Sequence, residues 1–133
     1  MTIFIDASAL IAIIGGEEEA DALADALEAD RDRICSAVSV WETVAGLCRS
    51  FAFSVPDARA TVQAFLDVAG VRMVAIGAPE FQLATDAYDR FGKGRHPAAL
   101  NMGDCFAYAA ARANSATLLY KGSDFARTDL RSG

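Results

Sequence analysis

The sequence predicts an α/β fold, a three-layer α/β/α sandwich built around a mainly parallel central sheet. Three observations carry that prediction. Short β-rich runs alternate with longer helical patterns along the whole chain, which is the signature of βαβ units joined by right-handed crossovers. Apolar residues make up 53% of 133 positions, enough to fill a core without disulfides. No repeat, low-complexity tract or linker divides the chain, so residues 1–133 are expected to form a single domain.

The elements follow in order. Ile3-Phe-Ile is an apolar strand that stops at Asp6, and Ser8 to Gly15 has the apolar density of a short buried helix. Asp6 therefore sits at a strand-to-helix junction, where open α/β folds place ligands. After Gly15-Gly16, three glutamates open a second helix in the turn its dipole favours. Ala20, Leu23, Ala24 and Leu27 continue it to about Asp30, with its acidic face read as solvated. Arg33–Cys35 is short, but its place between helices makes it a second strand.

Ser39-Val-Trp-Glu42 precedes a helix that carries Val44, Ala45, Leu47, Cys48 and Phe51. Its Ser-x-x-Glu spacing fits a capping box as well as it fits a carboxylate turned towards a site. Pro56 opens another helix up to Gly70, and Val71–Ile76 is the third strand. Pro79 begins a helix through Phe91, closed by the basic loop Gly92-Lys-Gly-Arg-His-Pro97. Asn101-Met-Gly-Asp104 leads into an Ala-rich helix thin enough to pack closely on a sheet. Thr117–Tyr120 is the fourth strand, Lys121-Gly-Ser-Asp124 turns into a short helical segment, and Thr128–Leu130 is a candidate last strand.

Composition narrows the chemistry. Cys35, Cys48 and Cys105 are odd in number and lack a Cys-x-x-Cys pair, which suits reduced thiols in a cytosol and argues against structural zinc. His96 is the only histidine, so paired-histidine catalysis is excluded. The apolar run Ile3–Gly16 is too short to span a bilayer and is broken by Asp6, so a cytoplasmic protein without a membrane partner is expected. Net charge is −6, yet residues 1–89 hold 5 Lys/Arg against 15 Asp/Glu while residues 90–133 hold 7 against 3. The basic second half keeps a nucleic-acid partner open.

Four acids, Asp6, Glu42, Asp104 and Asp124, recur at comparable junctions. Singly, each has an ordinary reading: Asp6 and Asp124 as caps of the helices that follow them, Asp104 as a charge at the positive end of its helix. Jointly they converge, because the C-terminal ends of parallel strands share one sheet edge. Crowded carboxylates repel unless they are protonated or neutralised, and Mg²⁺ or Mn²⁺ is the natural counterion for an all-oxygen site. Such a site can activate water for attack on phosphorus. Ser8 and Asn101 are placed to orient a carboxylate or water, and turn or cap chemistry explains them equally well.

Ile3-Phe-Ile-Asp6-Ala-Ser8-Ala-Leu, Glu42 in its helix, Leu100-Asn-Met-Gly-Asp104-Cys-Phe-Ala-Tyr108-Ala and Leu118-Leu-Tyr-Lys-Gly-Ser-Asp124-Phe-Ala-Arg-Thr-Asp129-Leu together resemble the PIN-domain ribonucleases, specifically VapC-type toxins. The resemblance covers essentially the whole chain. It implies a PIN-like fold and a Mg²⁺-dependent endoribonuclease, a toxin neutralised by a VapB-type antitoxin and usually a homodimer. It further implies Asp6 and Asp104 as principal metal ligands, Glu42 and Asp124 completing the acidic cluster, and Ser8 supporting it. Arg90, Lys93, Arg95, Lys121 and Arg127 are then candidates to contact RNA phosphates, although ordinary solvated surface is the commoner role for any one of them.

Other classes fit less well. A receiver domain needs an acceptor Asp after a central strand, and Val71–Ile76 ends in Gly77-Ala-Pro. A Mg²⁺-dependent phosphatase normally wants Asp-x-Asp, whereas Asp6 is followed by Ala7 and Ser8. A protein-binding module would use its acids only as caps and present Trp41, Val44, Phe51 and Phe53 to a partner helix, although core packing is the commoner fate of such side chains, Phe53 excepted for its place near the helix end.

Overall fold

The computed structural model of the chain describes residues 1–130. Four strands, β1 (Thr2–Ile5), β2 (Asp32–Ser36), β3 (Val71–Val74) and β4 (Thr117–Leu119), form one sheet in the order β3-β2-β1-β4. Every pairing is parallel, with Phe4 opposite Ile34 and Leu118, and Cys35 opposite Met73. Six helices connect them: α1 (Ala7–Ile14), α2 (Ala20–Glu28), α3 (Ala37–Phe51), α4 (Val55–Ala69), α5 (Ala78–Phe91) and α6 (Met102–Ala113).

Strand alternation sorts the core into two halves. Ile3, Ile5, Cys35 and Leu119 face α1 to α4, while Phe4, Ile34 and Leu118 face α5 and α6. The sandwich expected from the sequence is thereby realised, with six helices on a four-stranded sheet. Ala107, Ala109, Ala110 and Ala111 are all buried, so α6 lies close against the sheet. On the edge strand β3, Arg72 is exposed and bonds the Asp32 carboxylate through two nitrogens at 2.9 Å each, which places charge along an otherwise open edge.

Three expectations shift. The helix expected to be capped by Ser39 starts a turn earlier: Ser36 is the N-cap, and the reciprocal box pairs Ser36 with Ser39. Thr128–Leu130 forms no strand; instead Phe125–Arg127 is a 3₁₀ turn, and the Thr128 hydroxyl donates to Phe125 O at 2.7 Å and accepts from Leu130 N at 3.2 Å. Trp41 is 71% exposed and Phe51 lies at the surface, whereas Val44 and Phe53 pack against the core. With α3 beginning at Ala37, its inward positions are Ser39, Thr43, Gly46 and Leu47, and Trp41 is rotated outward.

The three cysteines are free. No helix among the described residues is long and apolar enough to cross a membrane.

Candidate active site

Strands β2 and β3 extend the sheet to one side of β1 and β4 to the other, so the order reverses between β1 and β4. A crevice opens beyond the carboxyl ends of strands at such a switch point. Asp6 follows β1 directly, and its backbone N donates to Leu119 O at 2.9 Å, which ties it to the end of β4. It is the N-cap of α1: its Oδ2 accepts from Ser8 N at 3.0 Å and Ser8 Oγ at 2.6 Å. Ser8 Oγ accepts in turn from Lys121 N at 3.0 Å, so one hydroxyl links the first acid to the loop that carries Asp124.

Asp104 stands in the first turn of α6. Its Oδ2 accepts from Asn101 N at 3.0 Å, and Asn101 Oδ1 accepts from Asp104 N at 2.9 Å, a reciprocal cap. The capping readings of Asp6 and Asn101 therefore hold, and Asp104 lies in the first turn of its helix as expected, with a reciprocal cap bond besides. They do not hold for the other two acids. Asp124 makes no side-chain cap bond, and Glu42, freed from the box that Ser36 and Ser39 close, has no hydrogen-bond donor among the described residues.

Glu42 instead reaches α6, where its carboxylate occupies the space that a Cβ on Gly103 would fill. Only glycine permits that approach. Sequence reasoning passed over Gly103, although a glycine early in a helix costs about 1 kcal/mol relative to alanine and so signals a close contact.

Electrostatics link all four acids. Burial raises the Asp6 pKa, Ser8 partly offsets the rise, and Asp124 adds to it. Glu42 is pushed up to about 7, first by burial and then by Asp6 and Asp104. Asp104 is pushed up to about 6 by burial, against the Asn101 amide, with Asp6 and Asp124 raising it further. These acids stand near enough to raise one another, so their joint ionisation is costly.

A hard divalent cation suits this donor set, all oxygen and partly unpartnered. Among the described residues no three His, Cys, Asp or Glu side chains already stand at metal-holding geometry. Mg²⁺ takes as few as one or two carboxylates and completes its shell with water. Asp129 is outside the cluster, bonded to Tyr108, Arg90 and Arg112.

The basic residues divide. Arg90 pairs with Asp129 and Arg95 with Asp89, while Lys121 pairs with Glu17 and Glu19; these glutamates, expected to open the second helix, precede α2, whose N-cap is Glu19, and are partly engaged and not simply solvated. Lys93 and Arg127 form no ion pair among the described residues. Lys93 borders an apolar groove of about 340 Å³ between α5 and α6, next to Asn101. His96 is committed to its own loop: Nδ1 accepts from Ala98 N at 3.0 Å and the ring meets Phe91 edge-on.

A parallel sheet with acids following its strands at the switch point defines an α/β protein with an acidic edge. The chain belongs to the PIN domain family, whose pattern matches residues 3–130. It is 41% identical over 126 residues to ribonuclease VapC30 of Mycobacterium tuberculosis, covering 95% of this chain and 94% of that one. In fold it is similar to the crystal structure of VapC20 of Mycobacterium tuberculosis, a sarcin-ricin loop cleaving toxin, with TM-score 0.75, 21% identity and 98% of each chain covered. It is also similar to VapBC-1 of nontypeable Haemophilus influenzae, with TM-score 0.76, 14% identity and coverage of 100% of this chain and 97% of that one. Ribonucleases of this family are in general divalent-metal dependent.

Proposed function

We propose that residues 1–133 form a single nuclease domain, a Mg²⁺-dependent endoribonuclease that hydrolyses RNA phosphodiester bonds as the toxin of a cytoplasmic toxin–antitoxin pair. What supports this reading is that Asp6, Glu42, Asp104 and Asp124 are linked electrostatically, Asp124 raising Asp6 and Asp104, and Asp6 raising Glu42 and Asp104, in a chain 41% identical to a named ribonuclease. Caps alone do not account for it, since Glu42 and Asp124 cap nothing.

Asp6 and Asp104 are the residues that would hold Mg²⁺, or Mn²⁺ in its place, with Glu42 and Asp124 completing the negative surround. When bound, the ion supplies Lewis acidity towards the phosphate and lowers the pKa of a water. The rest is done by the chain. Ser8 fixes Asp6 through two hydrogen bonds, Asn101 fixes Asp104, and Gly103 admits Glu42. His96, turned into its loop, takes no part. Lys93 and Arg127 are favoured for RNA phosphates because no carboxylate pairs with them among the described residues, whereas Arg90, Arg95 and Lys121 would each have to give up an internal partner first.

Two exposed apolar faces support protein partners. Phe81, Tyr88 and Met102, each at least half exposed along the α5/α6 groove, suit a second copy in a homodimer. Trp41 and Phe51 on α3 suit a VapB-type antitoxin. The test is cleavage of RNA by the purified protein with Mg²⁺, with EDTA, and with Asp104→Asn. Cleavage lost in both controls is expected; the parent rate in either would overturn the assignment.

A further inference from the structure

Among the described residues Asp124 makes no side-chain hydrogen bond, and it lies on a segment without ladder pairing after Leu119, so its place must be set by its neighbours. On the N-terminal side, Lys121 N donates to Ser8 Oγ at 3.0 Å, and Lys121 Nζ pairs with Glu17 and with Glu19. Next to it Phe125 is buried against Tyr120, ring centroids 5.2 Å apart. On the C-terminal side the anchor is Asp129. The hydroxyl of buried Tyr108 donates to its Oδ1 at 2.6 Å, and Arg90 of α5 and Arg112 of α6 each donate to Oδ2 at 3.2 Å.

We propose that Asp129 is a positioning residue: clasped by Tyr108, Arg90 and Arg112, it fixes the segment that delivers Asp124 to the acidic pocket. The inference rests on the reading of Asp124 as part of that pocket. Two exposed ion pairs alone would hold little, but loss of Asp129 also strips the hydroxyl of buried Tyr108 of its short acceptor. The segment then keeps its Lys121 and Phe125 anchors and loses the third, so Asp124 shifts while the fold persists.

The test compares Asp129→Ala, Asp129→Asn, Asp124→Ala and the double variant Asp124→Ala/Asp129→Ala in Mg²⁺-dependent cleavage of an RNA oligonucleotide, with folding checked by circular dichroism. Asp129→Ala is expected to lower kcat roughly 10- to 100-fold, the cost of a misplaced group, with KM unchanged. Asp129→Asn keeps an acceptor for Tyr108 and should fall between it and the parent; it carries the comparison if Asp129→Ala does not fold. The double variant should be no slower than Asp124→Ala, because both remove the same group from the pocket. A folded Asp129 variant at the parent kcat beside an impaired Asp124→Ala would overturn the clasp alone, as would fully multiplicative losses in the double variant. Asp124→Ala at the parent rate would remove Asp124 from the site, and the clasp with it.

Discussion

Replacing Glu42 by Gln should make the metal-free protein more stable at pH 8 while it abolishes activity. Glu42 has a folded pKa of about 7 against an ordinary 4.5, raised by burial and by Asp6 and Asp104. An acid with a raised pKa binds its proton more tightly in the folded state, so it destabilises the fold above about 7 and has no effect below 4.5. A shift of that size corresponds to roughly 3 kcal/mol, and solvent access to a half-buried side chain reduces it to about 1–2 kcal/mol. Gln matches the protonated shape and removes the charge. Thermal denaturation in EDTA should therefore show a Tm gain on the order of 5 °C at pH 8, shrinking towards zero at pH 4.5. A variant that is neutral or destabilised at pH 8, or whose gain does not depend on pH, would refute the crowding of carboxylates on which the site is argued.

Three further outcomes follow from the same geometry. Gly103→Ala should drive the Glu42 carboxylate out of the pocket, since a Cβ claims its space, and cut kcat by on the order of 100-fold while circular dichroism stays unchanged; parent-like cleavage would show that Glu42 is not needed there. Mn²⁺ should raise Tm at pH 8 and much less at pH 5, where Glu42 at about 7 and Asp104 at about 6 are largely protonated; equal shifts at both values would point to binding elsewhere. Ser8→Ala removes both the bond to Asp6 Oδ2 and the acceptor for Lys121 N, and should cost about 1–2 kcal/mol by urea denaturation together with a loss of cleavage. A cost within error of zero would show that these bonds are not formed in solution.

The layers of the fold were legible because they follow from periodicity: Ile3 and Ile5 against Phe4 already assign two faces to β1. Asp6 was legible as a junction because an apolar run ends on it. The start of α3 was not, since Ser36 and Ser39 each offer a capping serine. The choice is made by tertiary pairing, which extends β2 to Ser36 opposite Val74 and so turns the chain into helix there. That one-turn difference decides two functional matters: Glu42 leaves the cap, and Trp41 faces outward. Partners of the cations were equally hidden, because Arg90 and Asp129, or Lys121 and Glu17, meet only once helices and loops are packed. Thr128–Leu130 has strand-like residues but ends in local hydroxyl bonds and the Asp129 clasp, which compete with ladder pairing.

Calorimetric titration with Mn²⁺ at pH 8 tests the central claim most directly. The parent is expected to bind the ion stoichiometrically, and Asp6→Asn and Asp104→Asn, both still folded, to lose that binding. A parent that takes up no Mn²⁺, or folded variants that bind it as the parent does, would contradict a cation site among these acids.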